Sequence, residues 1–88
     1  MLDPDVVFRV DLGPKAKGRR PPVHGADAVA RQILAGGRRL APLGRPAIVN
    51  GAPGVLVVSN GRRLAAVAFT IAHERIVAVD VVADPARL

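Results

Sequence analysis

From Asp5 to Leu12 the chain alternates, with Val6, Phe8 and Val10 on one side and Val7, Arg9 and Asp11 on the other. A period of two predicts a strand, and Gly13-Pro14 ends it. Residues 13–22, GPKAKGRRPP, are basic and rich in Gly and Pro, which predicts an exposed loop. Val23-His24 can return as a short strand. The period then changes. Gly25-Ala26-Asp27 opens a helix to about Gly36, with Val29, Ile33 and Leu34 on its apolar side and Ala26 and Ala30 beside them. Gly36-Gly37 is expected to stop it, and Arg38 and Arg39 follow where cations suit the carbonyl dipole.

Leu40 to Gly44 is a connector containing Pro42. Beyond it the period of two returns in four runs: Ala47 to Val49, Val55 to Val58, Arg63 to Ala72 and Arg75 to Val82. Asn50-Gly51 is the strongest hairpin signal, and Pro53-Gly54 after it predicts a turn wider than two residues. Ser59-Asn60-Gly61 and His73-Glu74 mark two further turns. Strands joined by tight turns are antiparallel. The predicted fold class is therefore α+β, a curved antiparallel sheet with one covering helix. One helix of about three turns cannot cover such a sheet. The last two strands are also apolar on both faces, although antiparallel sheets usually keep one face polar. Either a second layer lies outside this chain or a partner supplies it.

Composition narrows the classes. The 88 residues suffice for one domain, and a chain of this size buries about 60% of its surface. The absence of cysteine excludes disulfides, iron–sulfur clusters and thiol chemistry. Phe8 and Phe69 are the only aromatic residues. The formal charge is +6, carried by 11 Arg and 2 Lys. That ratio, with abundant Ala and Val, reads as the codon usage of a GC-rich genome rather than as a nucleic-acid-binding face. No apolar run approaches the ~20 residues of a membrane span. The opening MLDPDVV has acids and a proline where a signal peptide has a basic start. A cytoplasmic protein without membrane contact is the expectation.

Candidate chemistry is sparse. Two distant histidines, His24 and His73, with scattered acids make no metal site, and no phosphate or dinucleotide fingerprint is present. Asp80 lies within an apolar strand. A buried unpaired carboxylate is costly, so Asp80 is expected to find an Arg, with Arg75 and Arg63 as candidates. The Arg pairs at 19–20, 38–39 and 62–63 read as solvated loop ends.

Four stretches carry a resemblance: LDPDVVFRVDLG, RPPVHGADAVARQILAG, VNGAPGVLVV and ERIVAVDVVADPARL. In this order and spacing the chain resembles the C-terminal SnoaL-like domain of a group of extracytoplasmic-function RNA polymerase sigma factors, within the nuclear-transport-factor-2-like superfamily. The group tends to have a Gly-rich run where Leu12-Gly13-Pro14 follows Asp11, and Asn where this chain has Asp84. The resemblance implies a single SnoaL-like domain over residues 1–88. It would be a C-terminal fragment of a longer protein, lacking the helices that open the SnoaL-like cone.

The resemblance also implies partners: the sigma regions, RNA polymerase through the parent protein, and a small apolar ligand on the concave face. DNA contact would run only through sigma regions absent here. Phe8, Val10, Val67, Phe69 and Val79 are the expected pocket lining, with His24 at its mouth and Asp11 either against the pocket or, as a strand-end Asp, in solvent or bonded to turn amides. The ending Asp84, Pro85, Arg87 and Leu88 is the expected interaction tail. No cofactor is implied.

Ketosteroid isomerases share that superfamily and carry a catalytic Asp at the strand end that Asp11 matches. They also need a Tyr and a protonated Asp as oxyanion stabilisers. This chain has no Tyr, and the matching strand reads Ala66-Val67-Ala68-Phe69. The leading expectation is thus a regulatory, non-catalytic domain of a sigma factor. A polyketide-cyclase or isomerase-like enzyme using Asp11 is the alternative, as is a dimerisation module packing two sheets face to face.

Overall fold

A computed structural model describes residues 1–13, 21–49, 51–84 and 88. Among them are six strands: β1 (Leu2–Asp11), β2 (Val23–His24), β3 (Gly44–Val49), β4 (Ala52–Ser59), β5 (Arg62–Ala72) and β6 (Arg75–Val82). One helix, α1 (Ala26–Leu40), and a 3-10 turn over Ala41–Leu43 connect β2 to β3. The strands form one sheet in the order β2-β1-β6-β5-β4-β3. The fold is α+β, with a curved, unclosed sheet and a single helix.

The sheet is mixed rather than wholly antiparallel. β1 lies parallel to β6, while the other neighbours are antiparallel. Turn signals could not reveal this pair, because its two strands come from opposite ends of the chain. β1 also starts earlier than its alternation, at Leu2, with a break in register between Leu2 and Val7. A second correction concerns the first hairpin. Val49 pairs with Ala52, so only two residues lie between the strands, and Pro53-Gly54 belongs to β4. Pro53 opposes Ile48 on the β3 side, and pairing with β5 begins at Gly54. Gly54 is required there: a Cβ would collide with the Val67 carbonyl oxygen.

The helix runs through Gly36-Gly37 to Leu40 instead of stopping at the glycines. A glycine stop requires a left-handed backbone, and neither residue adopts one. Pro42, which has no N–H to donate back into the helix, ends it two residues later. At the other end the Gly25 N–H donates to the Val6 carbonyl (2.9 Å), tying the helix start to β1.

Alternation places Val6, Phe8 and Val10 on the helix side of β1 and Val7, Arg9 and Asp11 on the outer side. The core is Val6, Val29 and Val79, each essentially fully buried, with Leu2, Phe8, Val23, Ala26, Val67, Phe69 and Ile76 packed against it. Burying one such valine stabilises the fold by about 1.5–3 kcal/mol. The helix meets the sheet mainly at β1 and β2. Of its four large apolar residues Val29 is buried and Leu40 half-buried; Ile33 and Leu34 are exposed, Leu34 at 63%. Ile71 (56%) and Ile48 (74%) are exposed as well.

Candidate functional site

The helix-side surface holds an open depression of about 310 Å³ between β1, β2 and α1. Phe8, Val10, Pro21, Val23 and Gln32 line it. Phe8 and Val10 were expected there from the sequence. Pro21, Val23 and Gln32 were not, because their approach depends on how α1 lies against the β1–β2 pair. Val67 and Phe69 stand on β5 and pack against the core. Val79 is 1% exposed and belongs to the core itself.

The polar candidates lie elsewhere. Asp11 pairs with Val82 and shares the outer face with Val7 and Arg9, opposite Phe8 and Val10. Its Oδ1 accepts a hydrogen bond from the Gly13 N–H (2.9 Å), the geometry of an Asx turn closing the strand. His24 is exposed and pairs with Val7, so it too faces outward, while Val23 opposite Phe8 faces the depression. The structure therefore does not bring Asp11 and His24 to the apolar lining.

Asp80 finds a different partner from the two expected. The Arg9 Nε donates to Asp80 Oδ1 at 2.6 Å, and its second nitrogen donates to Oδ2 at 3.0 Å. Neither Arg75 nor Arg63 fills that place, because Arg9 stands directly opposite Asp80 in the parallel β1–β6 register. The hydrogen bonds Arg9 donates to Asp80, and then the negative charge of Asp80, raise the Arg9 pKa above its ordinary value. Both side chains remain partly exposed, so the pair contributes at most about 1 kcal/mol.

Asp84, the first tail candidate, is buried. It lies over the bare α-carbon of Gly13, where a Cβ would come within 2.5 Å of the Asp84 Cγ. Gly13 has a φ of +89°, so a side chain there is excluded twice. The Ala83 N–H donates to the Asp11 carbonyl at 2.8 Å. The ends of β1 and β6 thus close together as one unit. Leu88 is half-buried, while Pro85 and Arg87 lie outside the described residues. Among the described residues no cluster of His, Asp or Glu forms a metal site, and no helix is long and apolar enough to cross a membrane.

No family model matches the chain, and no curated protein does. Among solved structures, the extracytoplasmic function sigma factor SigJ of Mycobacterium tuberculosis matches with a TM-score of 0.72 and 30% identity, over 96% of this chain. The chain folds as the SnoaL-like domain of an extracytoplasmic function sigma factor. The chain spans about a third of SigJ, 34% of that chain. A protein from work on an enumerative algorithm for de novo design of proteins with diverse pocket structures matches at 20% identity and a TM-score of 0.53. That match covers 93% of this chain and 77% of the other, and it speaks for the fold alone.

Proposed function

We propose that this domain is a regulatory, cytoplasmic part of an extracytoplasmic function sigma factor. It modulates transcription initiation by packing against the sigma regions that recognise the promoter and bind RNA polymerase. The observation that carries the reading is the 30% identity to SigJ over 96% of this chain. The exposed Ile33 and Leu34, adjacent on α1, support it, since neighbouring exposed apolar side chains offer a surface on which another protein segment would dock. The reading is non-catalytic. Asp11 faces away from the apolar depression and caps its own turn, and the chain has no Tyr to hold an oxyanion.

Transcription from a promoter read by the sigma regions tests this, with the domain attached and with it removed. A change in transcript yield of several-fold in either direction is expected. Equal yield with and without the domain overturns the proposal.

A second role as a ligand-responsive element rests on the depression lined by Phe8, Val10 and Val23. Its volume sits at the lower edge of the ~300–1,000 Å³ typical of small-molecule sites. Chemical-shift changes at Val10 and Val23 on titrating a small apolar probe such as indole support it. Shifts absent at millimolar probe overturn it.

A further inference from the structure

From Ala28 to His73 the chain holds six arginines and no acid. The fold gathers five of them at one corner. Arg38 and Arg39 lie in the last turn of α1. The 3-10 turn that follows touches β4, and Gly44 at the start of β3 lies against the carbonyls of Leu40 and Ala41. Arg45 comes next on β3. Arg62 and Arg63 open β5, paired with Ser59 and Val58 at the far end of β4. All five are exposed, and none makes an ion pair among the described residues. The Arg45 guanidinium donates a 3.4 Å hydrogen bond to the carbonyl of its neighbour Gly44. The acids stand elsewhere. Asp3, Asp5 and Asp11 belong to β1, Asp27 to the first turn of α1 and Glu74 to the β5–β6 turn. Asp80 is held by Arg9, and Asp84 lies over Gly13.

A break in register builds this corner. Val57 pairs with Ala65 but Val58 pairs with Arg63, so Leu64 is an extra residue opposite nothing on β4. Such a bulge re-aims side chains. In an unbroken ladder Val58 would oppose Leu64, and Arg63 would turn to the helix side, because a slip of one residue exchanges the faces. With the bulge, Arg63 shares the outer face with Val58, Leu56 and Arg45. Arg45 and Arg63 lie two strands and two residues apart, about 12 Å. Leu56 and Val58 lie between them, half-buried, and Leu64 stands 43% exposed beside Arg63.

Like charges gathered this way repel one another. The carbonyl dipole at the end of α1 favours Arg38 and Arg39, but it does not account for Arg45, Arg62 and Arg63. We propose that this corner binds an acidic amphipathic segment of a partner protein. Arg45 and Arg63 each donate paired hydrogen bonds to a carboxylate of the segment, the geometry that a planar guanidinium group favours. The apolar side chains of the segment rest on Leu56, Val58 and Leu64. Arg38, Arg39 and Arg62 add charge at the rim, which speeds association and makes it salt-sensitive. A nucleic-acid backbone fits less well. Phosphates have no use for the exposed leucine, and Phe8 and Phe69, the two side chains able to stack on a base, pack against the core instead. The site is independent of the regulatory reading, and the transcription test does not bear on it.

The probe is a labelled synthetic peptide of Glu, Leu and Ala, patterned as an amphipathic helix of about four turns. It is titrated into the 88-residue chain and followed by fluorescence anisotropy. Binding in the micromolar range is expected, weakening about tenfold as salt rises from about 0.05 to about 0.5 M. Arg45→Glu and Arg63→Glu are each expected to raise Kd about tenfold, and Leu64→Ser several-fold. Arg75→Glu makes the same change of net charge at the opposite end of β5 and β6, and is expected to leave Kd unchanged. All four side chains are exposed, so the variants keep the fold. An absence of binding at millimolar peptide overturns the proposal. Equal weakening by Arg75→Glu and Arg63→Glu overturns it too, since that is a response to net charge alone. So does a DNA duplex of similar length that binds as tightly as the peptide.

Discussion

The two ends of the sheet are built by different means. At one end β2, β1 and β6 lie under α1, and this end holds the three fully buried valines, Val6, Val29 and Val79. It is assembled from both termini of the chain, since β1 and β6 pair in parallel. At the other end β3, β4 and β5 follow one another through tight turns. The helix α1 meets the sheet mainly at β1 and β2, away from them, and Ile48 stands 74% exposed. The covered end gains its stability from apolar burial between distant segments. The open end buries only Val57, Ala65 and Ala66 among the described residues, and leans more on ladder hydrogen bonds, cross-strand pairs and close backbone fit. A domain built this way has one half that holds it in shape and one that leaves large apolar side chains exposed.

The largest effect is expected where the open end depends on backbone fit. Gly54→Val places a branched side chain against the Val67 carbonyl oxygen, and no rotamer avoids a collision that begins at Cβ. A loss of about 3 kcal/mol or more is expected in denaturant unfolding, at the upper end of overpacking costs. Amide exchange should accelerate first in β4 and β5. At the covered end Val29→Ala removes the one fully buried side chain of α1. A cost of about 2 kcal/mol is expected, with exchange accelerating in β1 and α1 while β3 and β4 stay protected. Equal acceleration at both ends after either substitution would show that they unfold as one unit, and the comparison would fail.

The same contrast explains how much could be read from the chain. The open end was legible because its order is local. The turn before Arg75 and the Asn60-Gly61 turn follow from residues adjacent in sequence, and alternation supplied the strand faces; the turn before Ala52 was placed but read as too wide, because Pro53-Gly54 has the composition of a turn and lies in β4. The β1–β6 pair was not legible, since no turn signal links strands separated by almost the whole chain. Arg9 was missed as the partner of Asp80 for that reason. The helix end was misread because Gly36-Gly37 has the composition of a stop but lies in ordinary helical backbone. The site shows a conflict between two kinds of inference. Alternation along β1 already placed Asp11 opposite Phe8 and Val10, whereas the family resemblance set all three around one pocket. The structure follows the alternation.

The ion pair on the covered end's outer face offers a smaller effect. Arg9 and Asp80 make two short hydrogen bonds, but water reaches both groups. A double-mutant cycle with Arg9→Ala and Asp80→Ala is expected to give a coupling of about 0.5–1 kcal/mol. The coupling should shrink as salt is raised. A coupling well above that range would make β1–β6 pairing as much electrostatic as apolar, and would weaken the contrast drawn between the two ends.

The smallest effect concerns the turn that joins the two ends. His73 and Glu74 connect β5 to β6 with φ values of 51° and 64°. Both central residues are left-handed, which defines a type I′ turn suited to the twist of a hairpin. The neighbouring Asn60-Gly61 turn meets the same demand with residues that tolerate it, at φ values of 52° and 76°. Neither His nor Glu tolerates that region so well. Glu74→Gly relieves a strain of about 1–2 kcal/mol, offset by about 0.5–1 kcal/mol of added freedom in the unfolded chain. A net gain of about 0.5 kcal/mol is expected, read as a higher midpoint in urea with an unchanged slope. Because β5–β6 pairing forms locally while β1–β6 pairing does not, the gain should appear mainly in the folding rate if this hairpin assembles before the ends of the chain meet. A gain confined to slower unfolding would instead place the β1–β6 closure first.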